Sequence, residues 1–189
     1  MTAATEGRPS AGDEPARRLF FALWPDDAAR RGLAEAVRDV VPRGAGRPQR
    51  PDQWHVTLEF LGDVPESRLP AVLDAGAAAS GGASACVLEF DRLEHWKRPQ
   101  VLCLAAGSIP QPLAALVEAL RSELRLRGFT PEARPFKAHV TLARRVVQPP
   151  AEVPVAPLRW PVQGLALVQS LTERAGSRYV QIAAWPPDA

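Results

Sequence analysis

The chain has 189 residues, 46% hydrophobic and 23% charged, enough apolar material for one domain or two small lobes sharing a core. A formal charge of +2 is too small to argue for duplex DNA binding on bulk electrostatics, and no apolar segment approaches the length of a membrane span. Cys86 and Cys103, both in apolar runs with no signal peptide ahead of them, read as buried free thiols of a cytoplasmic protein, a disulfide between them being the less favoured reading.

Residues 1–17 are rich in Ala, Gly, Pro and charge without periodicity, which predicts a disordered tail ahead of a single folded unit, 18–189. Leu19 to Trp24 is a short apolar run ending at Pro25, a buried strand. Asp26 or Asp27 caps a helix carrying Leu33, Val37 and Val40. Pro42 to Pro51 is a loop. Trp54 to Leu61 forms a strand stopped by Gly62-Asp63. A helix runs from Glu66 into the alanine-rich stretch and ends at Gly81-Gly82. Ala85–Phe90 and Val101–Ala105 read as paired strands around a polar loop containing His95. Pro112–Leu126 repeats leucine at helical spacing and ends at Gly128. Ala138–Arg144 is another strand, followed by a proline-rich connection, Pro149–Pro161. Leu165–Leu171 and Tyr179–Ala184 then form a hairpin through Gly176. This order is α+β with largely antiparallel sheets rather than a doubly wound parallel sheet.

The chain holds three histidines, and two of them head identical tetrapeptides: His55-Val56-Thr57-Leu58 and His139-Val140-Thr141-Leu142. On a strand, His and Thr share one face while Val and Leu take the other. Each strand can therefore bury its aliphatic side and present imidazole plus hydroxyl opposite. Placed similarly in the two halves, the copies suggest a distant duplication whose faces meet across one cleft. Two imidazoles titrating near neutrality supply a base and an acid. In-line hydrolysis of a phosphodiester needs both, on opposite sides of phosphorus. Thr57 and Thr141 can donate hydrogen bonds to the non-bridging oxygens. Arginines outnumber lysines and fit phosphate oxygens as a fork. The sequence contains no metal-ligand motif.

These paired motifs resemble the 2H phosphoesterase superfamily, and within it the RNA 2′,3′-cyclic phosphodiesterases, historically called 2′-5′ RNA ligases. The similarity runs from about Arg18 to Trp185. It is carried by Arg18-Leu19-Phe20-Phe21-Ala22-Leu23, by His55-Val56-Thr57-Leu58-Glu59-Phe60-Leu61-Gly62 and by Arg134 to Arg144 around the second motif. Ser170-Leu171, Gly176, Tyr179 and Trp185 fit the tail. The resemblance implies a bilobal α+β fold, two mostly antiparallel sheets related by a pseudo-two-fold around a central cleft with helices outside. It also implies cofactor-free, metal-free opening of a 2′,3′-cyclic phosphate to a 2′-phosphate. His55 would be the proton donor and His139 the acceptor, with Arg144 holding phosphate. The expected partners are RNA 3′ ends or nucleoside 2′,3′-cyclic phosphates, bound by a monomer that engages no membrane. The alternatives are sealing of 2′-5′ linkages by reverse-type chemistry, a non-catalytic RNA-end-binding module, or a different cyclic phosphate such as one derived from ADP-ribose.

Two features depart from the pattern. The family places proline before the second His, where this chain has Ala138. Strict strand parity also puts Arg145, not Arg144, on the His139 face, unless the strand ends or bulges near Ala143. Among the remaining candidates, Glu59 shares the His55 face by parity and is expected to be solvated rather than to orient an imidazole. One of Phe20, Phe21 and Trp24 can stack on a base, with Phe20 the choice, and Phe136 is a further contact. His95 with Trp96, Lys97 and Arg98 is either an exposed loop or a contact to the RNA strand.

Overall fold

The computed structural model describes residues 14–38, 46–148, 155–162, 164–173 and 176–186. Its elements in chain order are β1 (Ala16–Leu23), α1 (Asp27–Val37), β2 (Arg47–Pro48), β3 (Val56–Pro65), α2 (Leu69–Ser80), β4 (Cys86–Phe90), β5 (Arg92–Trp96), β6 (Val101–Ala105), α3 (Gln111–Leu126), β7 (His139–Arg144), β8 (Leu158–Val162), β9 (Leu165–Glu173) and β10 (Gly176–Trp185). The described strands pair antiparallel, so the α+β class is as the element order implies.

One sheet runs in the order β10-β9-β1-β3-β7-β6-β5, with β2 added against β7, and β4 pairs with β8 in a separate ribbon. The expected pair of comparable sheets is therefore replaced by one continuous sheet, joined at its centre between β3 and β7. Alternation along β1 sets its two faces. Leu19, Phe21 and Leu23 enter the main core, while Phe20 and Ala22 join Ala166 and Val168 on the opposite face.

The helices cover the core face. Asp26 begins α1, its Oδ1 accepting from the Ala29 amide at 2.7 Å. Leu113, Leu116, Val117, Leu120 and Leu124 bury the apolar stripe of α3. On α2, Gly76 lets the helix lie close on the sheet. A Cβ there would meet the Trp185 and Phe21 rings at 2.8 and 2.9 Å. The other face of the central strands carries the two His-Thr pairs.

Several boundaries differ from the sequence reading. The first strand begins at Ala16, inside the expected tail, because Arg17 lies opposite Val64 and its Nε reaches Glu66 at 2.6 Å. The rest of that tail, 1–13, lies outside the described residues, as do 39–45, which include Val40 of the expected helix and the start of the expected loop, and 149–154 of the proline-rich connection. Gly62 does not stop β3. At φ +72° it accommodates a bulge at Leu61, and pairing continues to Pro65. β4 pairs with β8, not β6, and β8 occupies part of the stretch read as connection, its Pro161 tolerated in a two-stranded ribbon. β6 instead pairs with β5, which contains His95. Both cysteines are free. Among the described residues no helix is long and apolar enough to cross a membrane.

Candidate active site

β3 and β7 meet at a single pair, Val56 opposite Val140. These are equivalent positions of the two tetrapeptides. Continued one residue either way, the antiparallel register sets His55 beside Thr141 and Thr57 beside His139. The expected convergence of the two motifs is thus a property of the sheet.

The imidazoles are held alike. His55 Nδ1 donates to the Gln53 carbonyl at 2.8 Å, and His139 Nδ1 donates to the Lys137 carbonyl at 2.8 Å. A carbonyl oxygen only accepts, so each neutral ring carries its hydrogen on Nδ1 and leaves Nε2 with a lone pair. Their surroundings differ. Trp24 stacks on His55 at 5.6 Å and 6°, and Phe20 and Tyr179 each lie 4.9 Å from its ring. His139 has Trp96 at 4.4 Å, and the Trp96 indole donates to Glu94 Oε2 at 2.7 Å. Burial in the aromatic box holds His55 down to about 4, the Gln53 carbonyl opposing it and the charge of Arg144 adding to it. Burial also lowers His139, against the Lys137 carbonyl and the Glu94 carboxylate, which raise it.

Both motif strands bulge at the same letter. β1 pairs Ala22 with Thr57 and Phe21 with Glu59, passing over Leu58. β6 pairs Cys103 with Thr141 and Leu102 with Ala143, passing over Leu142. One extra residue reverses the parity of everything beyond it. Arg144 consequently lies opposite Val101, on the parity of Cys103 and Ala105, the partners of Thr141 and His139. It therefore belongs to the His139 face. Arg145 lies past the end of β7, in the left-handed region at φ +59°. The strict-parity expectation for Arg145 is corrected by the bulge.

In the first copy the same device brings Phe60, at the position equivalent to Arg144, opposite Phe20 on the site face, where it remains 44% exposed. It also turns Glu59 inward, opposite Phe21. Glu59 is buried, so the expectation of a solvated carboxylate fails. Its Oε2 accepts from Arg121 Nε at 2.9 Å and its Oε1 from the Glu132 amide at 2.6 Å, while Arg121 Nη2 donates to the Arg134 carbonyl at 3.2 Å. This ion pair ties the segment leading to Lys137, whose carbonyl orients His139. Sequence reasoning missed it. Its signal was an arginine set on the apolar stripe of α3.

A cleft of about 480 Å³ opens beside His139, lined by Thr57, Phe60, Trp96, Phe136 and Lys137 among others. Phe136 is thus at the cleft as expected. Phe20 is buried against His55 and offers no free face, and Phe21 is core. His95 lies opposite Leu102, away from the site, with Nε2 donating to the Val146 carbonyl at 2.8 Å, so neither expectation for it holds. Lys97 and Arg98 are exposed in the turn that follows. Cys103, buried beside Thr141 and hydrogen-bonded to its side chain, has its thiol pushed up to about 12 by burial. That keeps it a neutral support rather than a nucleophile.

The model of the family described as LigT like phosphoesterase matches the chain twice in succession, over residues 23–103 and 104–179, one tetrapeptide falling in each match. The chain belongs to that family. A LigT-like relative, the RNA 2′,3′-cyclic phosphodiesterase of Thermus thermophilus, is 35% identical over 173 residues, spanning 86% of each protein. The RNA 2′,3′-cyclic phosphodiesterase of Escherichia coli is 31% identical over 172 residues, 89% of this chain and 96% of that one. The crystal structure of E. coli LigT complexed with 3′-AMP matches with a TM-score of 0.79 at 30% identity, covering 90% of this chain and 97% of that one. As a LigT-like 2H phosphoesterase, the chain is a hydrolase.

Proposed function

We propose that this enzyme hydrolyses RNA or nucleoside 2′,3′-cyclic phosphates to the 2′-phosphate, without a metal, by acid–base catalysis between His55 and His139. The observation that carries the reading is the matched pair of imidazoles set around the Val56–Val140 pair, each with Nδ1 committed to a carbonyl and Nε2 left for chemistry. The sheet order supports a local two-fold through that pair, with β1 and β6, then β9 and β5, as counterparts.

In this mechanism a water oxygen attacks phosphorus in line while His139 Nε2 takes its proton. The P–O3′ bond breaks, and His55 Nε2 gives a proton to the departing 3′ oxygen. Thr57 and Thr141 hydroxyls donate to the non-bridging oxygens, and Arg144 balances their growing charge. The assignment of donor and acceptor follows the family resemblance. Burial makes both rings neutral at pH 7 before substrate arrives, and the phosphate anion favours protonation of the donor. Phe60 and Phe136 border the space a base would occupy. Phe20, Trp24 and Tyr179 act through His55 as positioning residues.

The test is product identification by phosphorus NMR. RNA ending in a 2′,3′-cyclic phosphate is incubated with the protein, with and without a 5′-hydroxyl acceptor strand. A 2′-phosphomonoester and no lengthened strand are expected. A longer 2′-5′-linked product would establish ligation instead, and an unchanged cyclic phosphate would mark a binding module.

A further inference from the structure

Arg47 has no part in the chemistry above. It lies in β2 directly opposite Arg144 of β7, so two arginines are cross-strand neighbours on the site face. Like charges placed this way destabilise a sheet. Among the described residues neither arginine is ion-paired with a carboxylate, whereas nearby Arg50 is paired with Asp52 at 2.7 Å.

The backbone keeps this repulsion in place. A Cβ at Gly46 would lie 2.3 Å from the Arg144 carbonyl oxygen, so β2 is pressed hard against β7. On the other side Gln49 donates to the Leu142 carbonyl at 2.7 Å. The strand cannot slip to separate the charges. Two arginines without a carboxylate partner, held at paired positions, draw phosphate groups to this edge of the site.

Arg144 and Arg47 end a row that crosses the sheet from Trp96 through Val101. The exposed Lys97 and Arg98 continue the positive charge beyond Trp96. Arg144 sits three residues along β7 from Thr141, roughly 10 Å of strand, and its long side chain spans the gap to the reacting centre. Arg47 is one strand spacing across from it, on the side of β7 that β3 also occupies. With a formal charge of only +2 on the whole chain, this concentration is local.

We propose that Arg47 holds the phosphodiester next to the reacting cyclic phosphate and is the residue that sets an RNA 3′ end above a mononucleotide. This rests on the proposed function and adds a specificity-determining residue to it.

The experiment compares 2′,3′-cyclic AMP with a short oligoribonucleotide ending in a 2′,3′-cyclic phosphate, using wild type, Arg47→Ala and Arg47→Lys over a range of salt. With the oligonucleotide, Arg47→Ala is expected to lose about tenfold in kcat/KM, and the slope against log salt to flatten by about 0.7, one single-strand phosphate contact. With the mononucleotide the change stays within about twofold, and Arg47→Lys restores most of the loss. Equal losses on both substrates, or none on the oligonucleotide, would overturn the proposal. If wild type turns over neither substrate, the hydrolase reading fails separately. Binding of an oligoribonucleotide 3′-phosphate then decides the arginine, weaker binding by Arg47→Ala supporting the proposal and equal binding refuting it.

Discussion

Val56 and Val140 face each other at the centre of the sheet, each the second residue of an identical His-Val-Thr-Leu. That one pair fixes the geometry on which the proposed chemistry depends. It sets His55 against Thr141 and His139 against Thr57, so imidazole and hydroxyl alternate around a common centre. A slip of one residue between β3 and β7 would turn one motif into the core. The aliphatic side of both strands, buried among Leu58, Leu142 and the helices, forbids it.

The bulge at Leu142 makes a sharp distinction between adjacent arginines. Arg144→Gln is expected to lower kcat/KM toward 2′,3′-cyclic AMP by at least about 10²-fold, the scale of losing one preorganised donor. Arg145→Gln, on a residue past the end of β7, is expected to stay within about threefold. Steady-state kinetics of the two variants decides between them.

The sequence made the candidate site legible because period-two alternation in two identical strings needs only local rules. The shared face of His55 and Thr57, and that of His139 and Thr141, were legible that way, and the helices by their leucine spacing and terminal glycines. What escaped depended on long-range registry. The bulges at Leu58 and Leu142 arise from pairing with β1 and β6, so parity counted through them misplaced Glu59 and Arg145. The β4–β8 pairing joins segments far apart in the chain, and its proline disguised a strand as a linker. Arg121 sits on the apolar stripe of α3, but its carboxylate partner lies 62 residues away, beyond the reach of any local pattern. Tyr179 supplied one wall of the His55 box, which the family resemblance touched but local pattern did not explain.

The depressed imidazoles set the pH response. Before substrate binds, His55 titrates at about 4 and His139 below its ordinary value. The proposed mechanism needs one ring protonated and the other neutral, so kcat/KM is expected to peak below about pH 6.5 and to fall as pH rises. Bound phosphate raises both rings, which shifts the kcat profile to higher pH than the kcat/KM profile. The sign for stability is opposite. Neutral buried imidazoles favour the folded state above the unfolded value, and that contribution is lost as pH falls toward 4. Parallel kinetic and denaturation series across pH check both directions. A kcat/KM optimum on the alkaline side would contradict the burial argument.

The buried Glu59–Arg121 pair predicts a stability effect with a kinetic echo. Arg121→Ala leaves a carboxylate uncompensated in the interior, and about 3–5 kcal/mol of destabilisation is expected by chemical denaturation. Replacing both partners, Glu59→Gln with Arg121→Met, should recover a large part of that loss. Neither variant removes a group that touches phosphate. Activity in the double variant should therefore fall only as far as loosening of the Glu132–Lys137 segment misplaces His139.

The most direct test of two-histidine catalysis is single-turnover cleavage of 2′,3′-cyclic AMP by His55→Ala, His139→Ala and the double variant, each shown folded by circular dichroism. Each single variant is expected to fall at least about 10²-fold below wild type. The double variant should fall little further than the worse single one, because the two rings act as one unit. A single variant within about threefold of wild type, or fully additive losses, would contradict the mechanism.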